Sequence, residues 1–314
     1  MTETPQKFAS AYGNCQADAL LKILGQSPGF SQRYSKAPLP PCFEVKAEKL
    51  EDWAAQQAPQ VGLLITQKLR KGWRKKDVFD SDWLATQVPD GTPRFDWSDM
   101  YYKAYEPHMA YPLTFPKRAP SHYLNLLHVL AFVNDRPWQD ALEFYTNPSI
   151  FPRALLVGMH HAAQEGLAAR EAGCAIQITP FIREHFQDER LFMSFNHPSR
   201  ATMRYAANIV ISRLGIEEPV PEGGWYTFSD KQGQPLLASM EDMLAKKSRY
   251  PMETSFYLQA KSVTAEEYFT RWQAALEEIG KEKLVKELEH QTRDPVMVAP
   301  ILAAAAQHMG VTAP

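Results

Sequence analysis

Three sets of residues have types and spacings that could do chemistry. The first is the turn Gly13-Asn14-Cys15-Gln16, which joins a short apolar run to a helical pattern. A cysteine placed there meets unpaired N–H groups and positive potential, which favour a thiolate or a developing oxyanion. Such settings lower a cysteine pKa from about 8.5 towards neutrality. Sharp strand-to-helix turns also raise a nucleophile above a sheet edge. Asn14 and Gln16 can both donate to an oxyanion. The same turn is equally compatible with a cysteine that only fills a small apolar space. The second set is "SFNHPSR" (194–200), where His197 precedes a proline and is pushed towards an extended backbone. A histidine on a loop before a helix can reach a nucleophile on another strand, and Cys15 and His197 form a candidate nucleophile–base pair. The third is "QKLRKGWRKKD" (67–77), in which six of the nine residues from Lys68 to Lys76 are basic. Lys68, Arg70, Lys71 and Arg74 suit phosphates, and Trp73 suits stacking on an adenine ring. Gln67 adds a polar group on the same edge. A merely solvated basic loop is the alternative.

These residues need elements to hold them. "KFASAY" (7–12) predicts a buried strand, and Ala17, Leu20, Leu21, Ile23 and Leu24 make a helical stripe that stops at Gly25. "VGLLITQ" (61–67) predicts the second strand. Strand, helix, strand in this order predicts a βαβ start and a parallel sheet. The basic segment then follows the C-terminal end of a strand, the edge at which α/β proteins bind ligands. Residues 88–122 are rich in proline and aromatic residues and predict an ordered insertion packed on the body. Within it Trp97, Tyr101, Tyr102 and Tyr105 are candidate sugar-stacking surfaces, or plain hydrophobic packing. Helices are expected over 121–133, 137–146 and 152–172, and a strand over "CAIQITPF" (174–181). Another helix is expected over 200–215, with Ser199 as its cap. After 215 the pattern breaks and becomes mostly helical, with a capping-box spacing at "TAEE" (264–267). The division is an α/β body over 1–215 and a helical C-terminal region over 216–314.

Composition excludes several classes. The chain has 314 residues, is 45% hydrophobic and 22% charged, and carries a net charge of -2. That balance points to neither nucleic acid nor an acidic membrane surface. The three cysteines, Cys15, Cys42 and Cys174, are too few and too scattered for a disulfide framework or a zinc cluster, and no metal is expected. His160 and His161 are adjacent on a predicted helix and face different directions. No run approaches the roughly 18 apolar residues of a membrane helix. The start of the chain lacks a signal-peptide pattern, so a cytoplasmic location is expected.

A strand followed by "GNCQA", a strand ending in "LLITQ", the stretch "YEPHMAYP" and "RLFMSFNHPSRATMRYAANIVISRLG" together resemble the WcbI-type capsular polysaccharide biosynthesis family. The matching pieces span about 7–215. The resemblance implies a coenzyme A-dependent O-acetyltransferase that uses acetyl-CoA as acyl donor and a sugar or polysaccharide precursor as acceptor. It also implies a body distantly similar to SGNH hydrolases, a short parallel sheet flanked by helices. In that comparison Cys15 stands where the nucleophilic serine stands, and His197 takes the place of the late histidine. The SGNH pattern has an acid three positions before its histidine, where this chain has Ser194. Glu184, Asp188 and Asp18 remain as candidate orienting acids, beside a dyad without one. Gly13, Asn14, Gln16 and Gln67 are the expected turn and oxyanion residues. Lys68, Arg70, Lys71, Trp73 and Arg74 are the expected CoA contacts. Two routes stay open, an acetyl-cysteine or direct activation of the sugar hydroxyl by His197. An esterase or deacetylase, and a non-catalytic capsule-assembly protein, are the alternatives.

Overall fold

The computed structural model describes residues 7–69, 72–117, 119–228, 234–245, 256–258 and 261–313. They fall into two compact units. The first draws on Met1–Met100, Leu167–Arg183 and His197–Phe228; the second on Tyr101–Gly166, Glu184–Asn196 and Ser229–Pro314. The units interleave along the chain, whereas the sequence-based boundary at 215 divides it once. Pattern breaks mark where regular elements end, and they carry no record of which elements pack together in space.

The first unit holds the α/β architecture expected from the sequence. Its strands β1 (Lys7–Tyr12), β2 (Tyr34–Lys36), β3 (Val61–Gln67) and β4 (Arg94–Trp97) form one sheet in the order β2-β1-β3-β4. All three pairings are parallel. The helices between strands are α1 (Cys15–Leu24), α2 (Pro28–Arg33), α3 (Ala47–Gln56) and α4 (Ser81–Gln87). Tyr12, Val61 and Leu64 pack with Leu50 and Trp53 of α3 and Leu84 of α4 in one cluster. The pleat sends Ala9 and Ala11 to the opposite face, where their small side chains let α1 come close. Helix α9 (Arg200–Arg213) packs against α1 and is capped by Ser199, whose Oγ accepts from the Thr202 N–H.

Two expectations are corrected. Part of the proline-rich segment is not an insertion, because residues 94–97 are β4, paired with Leu64–Gln67. The 174–181 segment is not a strand. It makes one parallel bridge, Ile176 to Trp97, and then turns into α8 (Thr179–His185). The Glu171 carboxylate accepts from the N–H groups of Ile178 and Thr179 and bends the chain into that helix.

In the second unit, α5 (Leu126–Val133) is buried along most of its length and is packed by α6 (Trp138–Glu143), α11 (Ala265–Ile279), α12 (Lys281–Gln291) and α13 (Val298–Met309). Helix α10 (Ala238–Ala245) also belongs to this unit, and helix α7 (Arg153–Glu171) begins in it. The strands here are short: β5 (Met109–Ala110), β6 (Leu124–Asn125), β7 (Phe192–Ser194), β9 (Phe256–Leu258) and β10 (Lys261–Val263). Thr264 caps α11 by accepting from the Glu267 N–H, as the capping-box spacing predicts. Among the described residues no helix is long and apolar enough to cross a membrane.

Arg190 is the polar hub of this unit. It donates to the carbonyls of Phe192, Met193 and Gln234 and to Glu106 Oε1 at 2.8 Å. Glu106 is 2% exposed. Burial pushes its carboxyl up to about 7, against the pull of Arg190. The folded chain therefore keeps a proton that the unfolded chain releases above its ordinary value of 4.5, so this group's contribution to stability falls as pH rises between those values. Arg190→Ala is expected to cost about 3–5 kcal/mol in denaturant titrations, because it removes the donor shared by the buried Glu106 carboxyl and three carbonyls. Glu106→Gln should flatten the pH dependence of stability over the same window; an unchanged slope would assign that dependence to other groups.

Candidate active site

The strand order reverses direction between β1 and β3, since β1 leads outward to β2 and the chain then crosses back to β3. In open parallel sheets such a switch opens a crevice at the C-terminal strand ends. The Gly13-Asn14-Cys15-Gln16 turn leaves β1 there, and Gln67 ends β3 beside it. The approach is close. A Cβ on Gly13 would lie 2.7 Å from Gln67 Cβ and 3.0 Å from Trp97 Cζ2, so a side chain has no room. The Gln67 Oε1 atom accepts from the Asn14 N–H at 2.8 Å. Asn14 caps α1, its Oδ1 accepting from the Gln16 N–H at 2.9 Å, which leaves Nδ2 as the donor end of the amide. Gln16 is turned inward. Its amide makes a two-bond pair with the Met100 backbone at 2.9 and 3.0 Å. It anchors the turn, so the side-chain amide expected at an oxyanion is engaged with the backbone instead.

Cys15 is the first residue of α1 and is half-buried. The sequence predicts a depressed thiol pKa, and the structure reverses the direction. Burial raises it, and the N–H groups of Cys15 and Gln16, which favour the thiolate, offset only part of that. Asp18 and Glu44 add to the rise. Cys42 lies close enough to interact with Cys15, and its own buried thiol is pushed up to about 11, burial first. The Cys42 N–H donates to the Gly13 carbonyl at 2.7 Å, so the 37–45 connector closes one side of the turn.

His197 lies on β8 (His197–Pro198) in the same unit as Cys15. Its ring is half-buried and rests on Phe228, with centroids 4.5 Å apart and planes tilted by 30°. One residue that sequence reasoning missed, Tyr226, is bonded to the backbone beside His197. Tyr226 donates to the Pro198 carbonyl, next in the chain after His197. Its phenol pKa is raised, by burial first and by the Cys15 thiolate second, so it sits within electrostatic reach of the sulfur. No local signal marks Tyr226. It falls in "EGGWYTF", where the regular pattern is broken.

The basic segment is sorted by the structure. Lys68, Lys75 and Lys76 are exposed just beyond β3. Arg74 faces the protein: its Nη1 donates to the carbonyls of Cys42 and Val45 at 2.8 and 2.6 Å, and its guanidinium sits 4.1 Å over the Phe79 ring. Trp73 packs edge-on against Phe79 at 6.5 Å and is half-buried. Arg70 and Lys71 lie outside the described residues. Of the aromatic candidates, Trp97, Tyr102 and Tyr105 are at most 1% exposed and are core residues. Tyr101 is half-buried against Phe195. Among the candidate acids, Asp18 pairs with Lys22 at 2.6 Å, while Glu184 and Asp188 flank His185 at 3.7 and 4.0 Å. Among the described residues no group of three or more His, Cys, Asp or Glu side chains could hold a metal ion.

Comparison with known proteins gives a family and a fold. The family model described as "Polysaccharide biosynthesis enzyme WcbI" matches residues 9–219. A solved structure of WcbI, a novel polysaccharide biosynthesis enzyme in its native form without a disulfide bond between CoA and a cysteine, superimposes with a TM-score of 0.79. It is 24% identical and covers 96% of this chain and 99% of that chain, a likeness of fold. No curated protein matches.

Two measurements check the site. Gly13→Ala is expected to cost about 1–3 kcal/mol, since the added methyl overlaps backbone-anchored neighbours; wild-type stability would mean the turn can yield. Alkylation of Cys15 by iodoacetamide across pH should show a midpoint above the ordinary cysteine range. A midpoint near neutrality would show that the helix N-terminus outweighs burial.

Proposed function

The chain belongs to the WcbI polysaccharide biosynthesis enzyme family, and from that premise we propose that it moves an acetyl group from acetyl-CoA to a sugar hydroxyl in capsular polysaccharide biosynthesis. The observation that carries the reading is the Cys15 sulfur at the first position of α1, with two backbone N–H groups directed at it. A turn of that form meets a thioester carbonyl and stabilises the oxyanion made from it. The Cys15 N–H and the Asn14 Nδ2 are its donors. One such donor is typically worth about 3 kcal/mol of barrier.

The raised thiol pKa sets the order of proton movements. Cys15 stays protonated until attack, so His197 takes its proton as the sulfur adds to the thioester carbonyl. The carbon–sulfur bond to CoA then breaks, and the CoA sulfur leaves with the proton from His197. In the second half His197 removes the proton of the sugar hydroxyl, whose oxygen attacks the acetyl carbon on Cys15; the bond from that carbon to the Cys15 sulfur breaks, and His197 returns the proton to the sulfur as the thiol. Ser194 stands three positions before His197, and these steps use the Cys15–His197 pair.

The donor set beyond β3 fits a phosphate-bearing substrate. Lys68, Lys75 and Lys76 are exposed cations on the edge where Gln67 meets the Cys15 turn. Arg74 serves the loop itself, so the phosphates fall to the lysines.

Purified protein incubated with acetyl-CoA and a sugar acceptor should yield acetylated sugar and an acetyl group on Cys15 detectable by mass spectrometry. Cys15→Ala should abolish transfer and keep CoA affinity; full turnover by that variant would eliminate the covalent route. Free acetate as the sole product would make the enzyme a hydrolase. Lys75→Glu and Lys76→Glu should each weaken CoA binding about fivefold, with the difference fading as salt rises. Equal affinity in calorimetry would remove the phosphate assignment.

A further inference from the structure

We propose that Tyr226 is a positioning residue for His197, held in place by a strap formed by residues 221–228. The inference rests on the Cys15–His197 transfer reading and adds a residue to it.

The strap is fastened at several points to the first unit. Arg200, the first residue of α9, donates to the carbonyls of Pro221 at 2.8 Å, Glu222 at 3.0 Å and Gly223. The same guanidinium donates to Gln26 Oε1 at 3.0 Å, just past the end of α1. Gln26 in turn donates from Nε2 to the Trp225 carbonyl at 2.6 Å. The backbone comes so close that a Cβ on Gly224 would lie 2.6 Å from Gln26 Oε1, and Gly224 has φ 127°, a conformation side chains disfavour. Trp225 then points outward, 61% exposed, with the Lys22 ammonium 5.5 Å from its ring. Tyr226 is half-buried and Phe228 is 4% exposed.

Both of these rings act on His197. The Tyr226 hydroxyl donates to the carbonyl of Pro198 and fixes the backbone one residue beyond the imidazole. Phe228 supports the imidazole face at 4.5 Å and is itself braced by Tyr226, edge-on at 5.6 Å and 86°. Immediately after Pro198, Ser199 caps α9, so the hydroxyl pins a junction whose far side is also rigid. The phenol and Cys15 belong to the same unit and interact electrostatically. Because its hydrogen is given to a backbone carbonyl, Tyr226 positions the base and leaves proton transfer to His197.

The test is Tyr226→Phe, which keeps the ring and removes the hydroxyl, beside Trp225→Ala in the exposed part of the strap. With acetyl-CoA and a sugar acceptor, Tyr226→Phe should lower kcat by about tenfold to a hundredfold, the scale of a small misplacement of a reacting group, with KM for acetyl-CoA within about twofold. Trp225→Ala should keep the wild-type kcat. Independently of turnover, the His197 imidazole NMR signals, assigned by their loss in His197→Gln, should shift in Tyr226→Phe and stay in place in Trp225→Ala. Unmoved His197 signals in Tyr226→Phe, or a kcat loss matched by Trp225→Ala, would overturn the proposal. If the wild type transfers no acetyl group, the functional reading fails, and the imidazole signals alone decide the role of Tyr226.

Discussion

Everything at the site depends on how closely β1 and β3 approach at their C-terminal ends. With hydrogen alone at the Gly13 Cα, the β1 turn lies against the Gln67 and Trp97 side chains. That proximity lets the Gln67 carboxamide take the Asn14 N–H. Asn14, so held, caps α1 from its own side chain, and Gln16 locks the first turn onto Met100. Three amide side chains thus satisfy backbone groups that a bend at a sheet edge would otherwise leave orphaned. Cys15 is the one residue of the turn whose side chain is not needed to build it.

This construction explains the electrostatics of the thiol. Close packing takes the thiol partly out of water, and desolvation opposes the thiolate more than two N–H groups favour it. A permanently ionised cysteine would be reactive towards any electrophile that reached it. In the proposed reaction, a neutral thiol that ionises only as His197 removes its proton confines reactivity to complexes in which the two are in line. The helix N-terminus then contributes chiefly to the charge that develops during reaction, where preorganised donors act most strongly.

The sequence made the main strands, the Cys15 turn and the helix caps legible because each rests on local chemistry. "KFASAY" and "VGLLITQ" match β1 and β3 residue for residue, since unbroken apolar runs bounded by turn residues leave little choice. Ser199 and Thr264 cap as their spacing indicates. What failed was set by tertiary partners. Strand β4 sits among prolines and an aspartate and owes its existence to the open edge of β3. The "CAIQITPF" segment has strand composition, yet Glu171 captures two of its N–H groups and redirects it into a helix. In the site, residue type singles out Cys15 and His197 as candidates, whereas the contacts of Gln16, Arg74 and Tyr226 depend on neighbours remote in sequence.

The basic loop and the cysteine turn are also joined mechanically. Arg74 and Lys75 both have positive φ, at 55° and 62°. Left-handed conformations at non-glycine residues cost about 1–3 kcal/mol each and persist only where surroundings hold them. Here the surroundings are the Cys42 and Val45 carbonyls and the Phe79 ring, all engaged by the Arg74 guanidinium. Cys42 meanwhile donates its N–H to the Gly13 carbonyl. One residue therefore connects the strained cationic loop to the glycine that fixes the turn. A ligand that settles the loop in this conformation stabilises the Cys42 connector with it, and through Gly13 the position of the sulfur. Replacing Arg74 by lysine would keep the charge and lose the planar group that lies on the Phe79 ring while its Nη1 donates to both carbonyls.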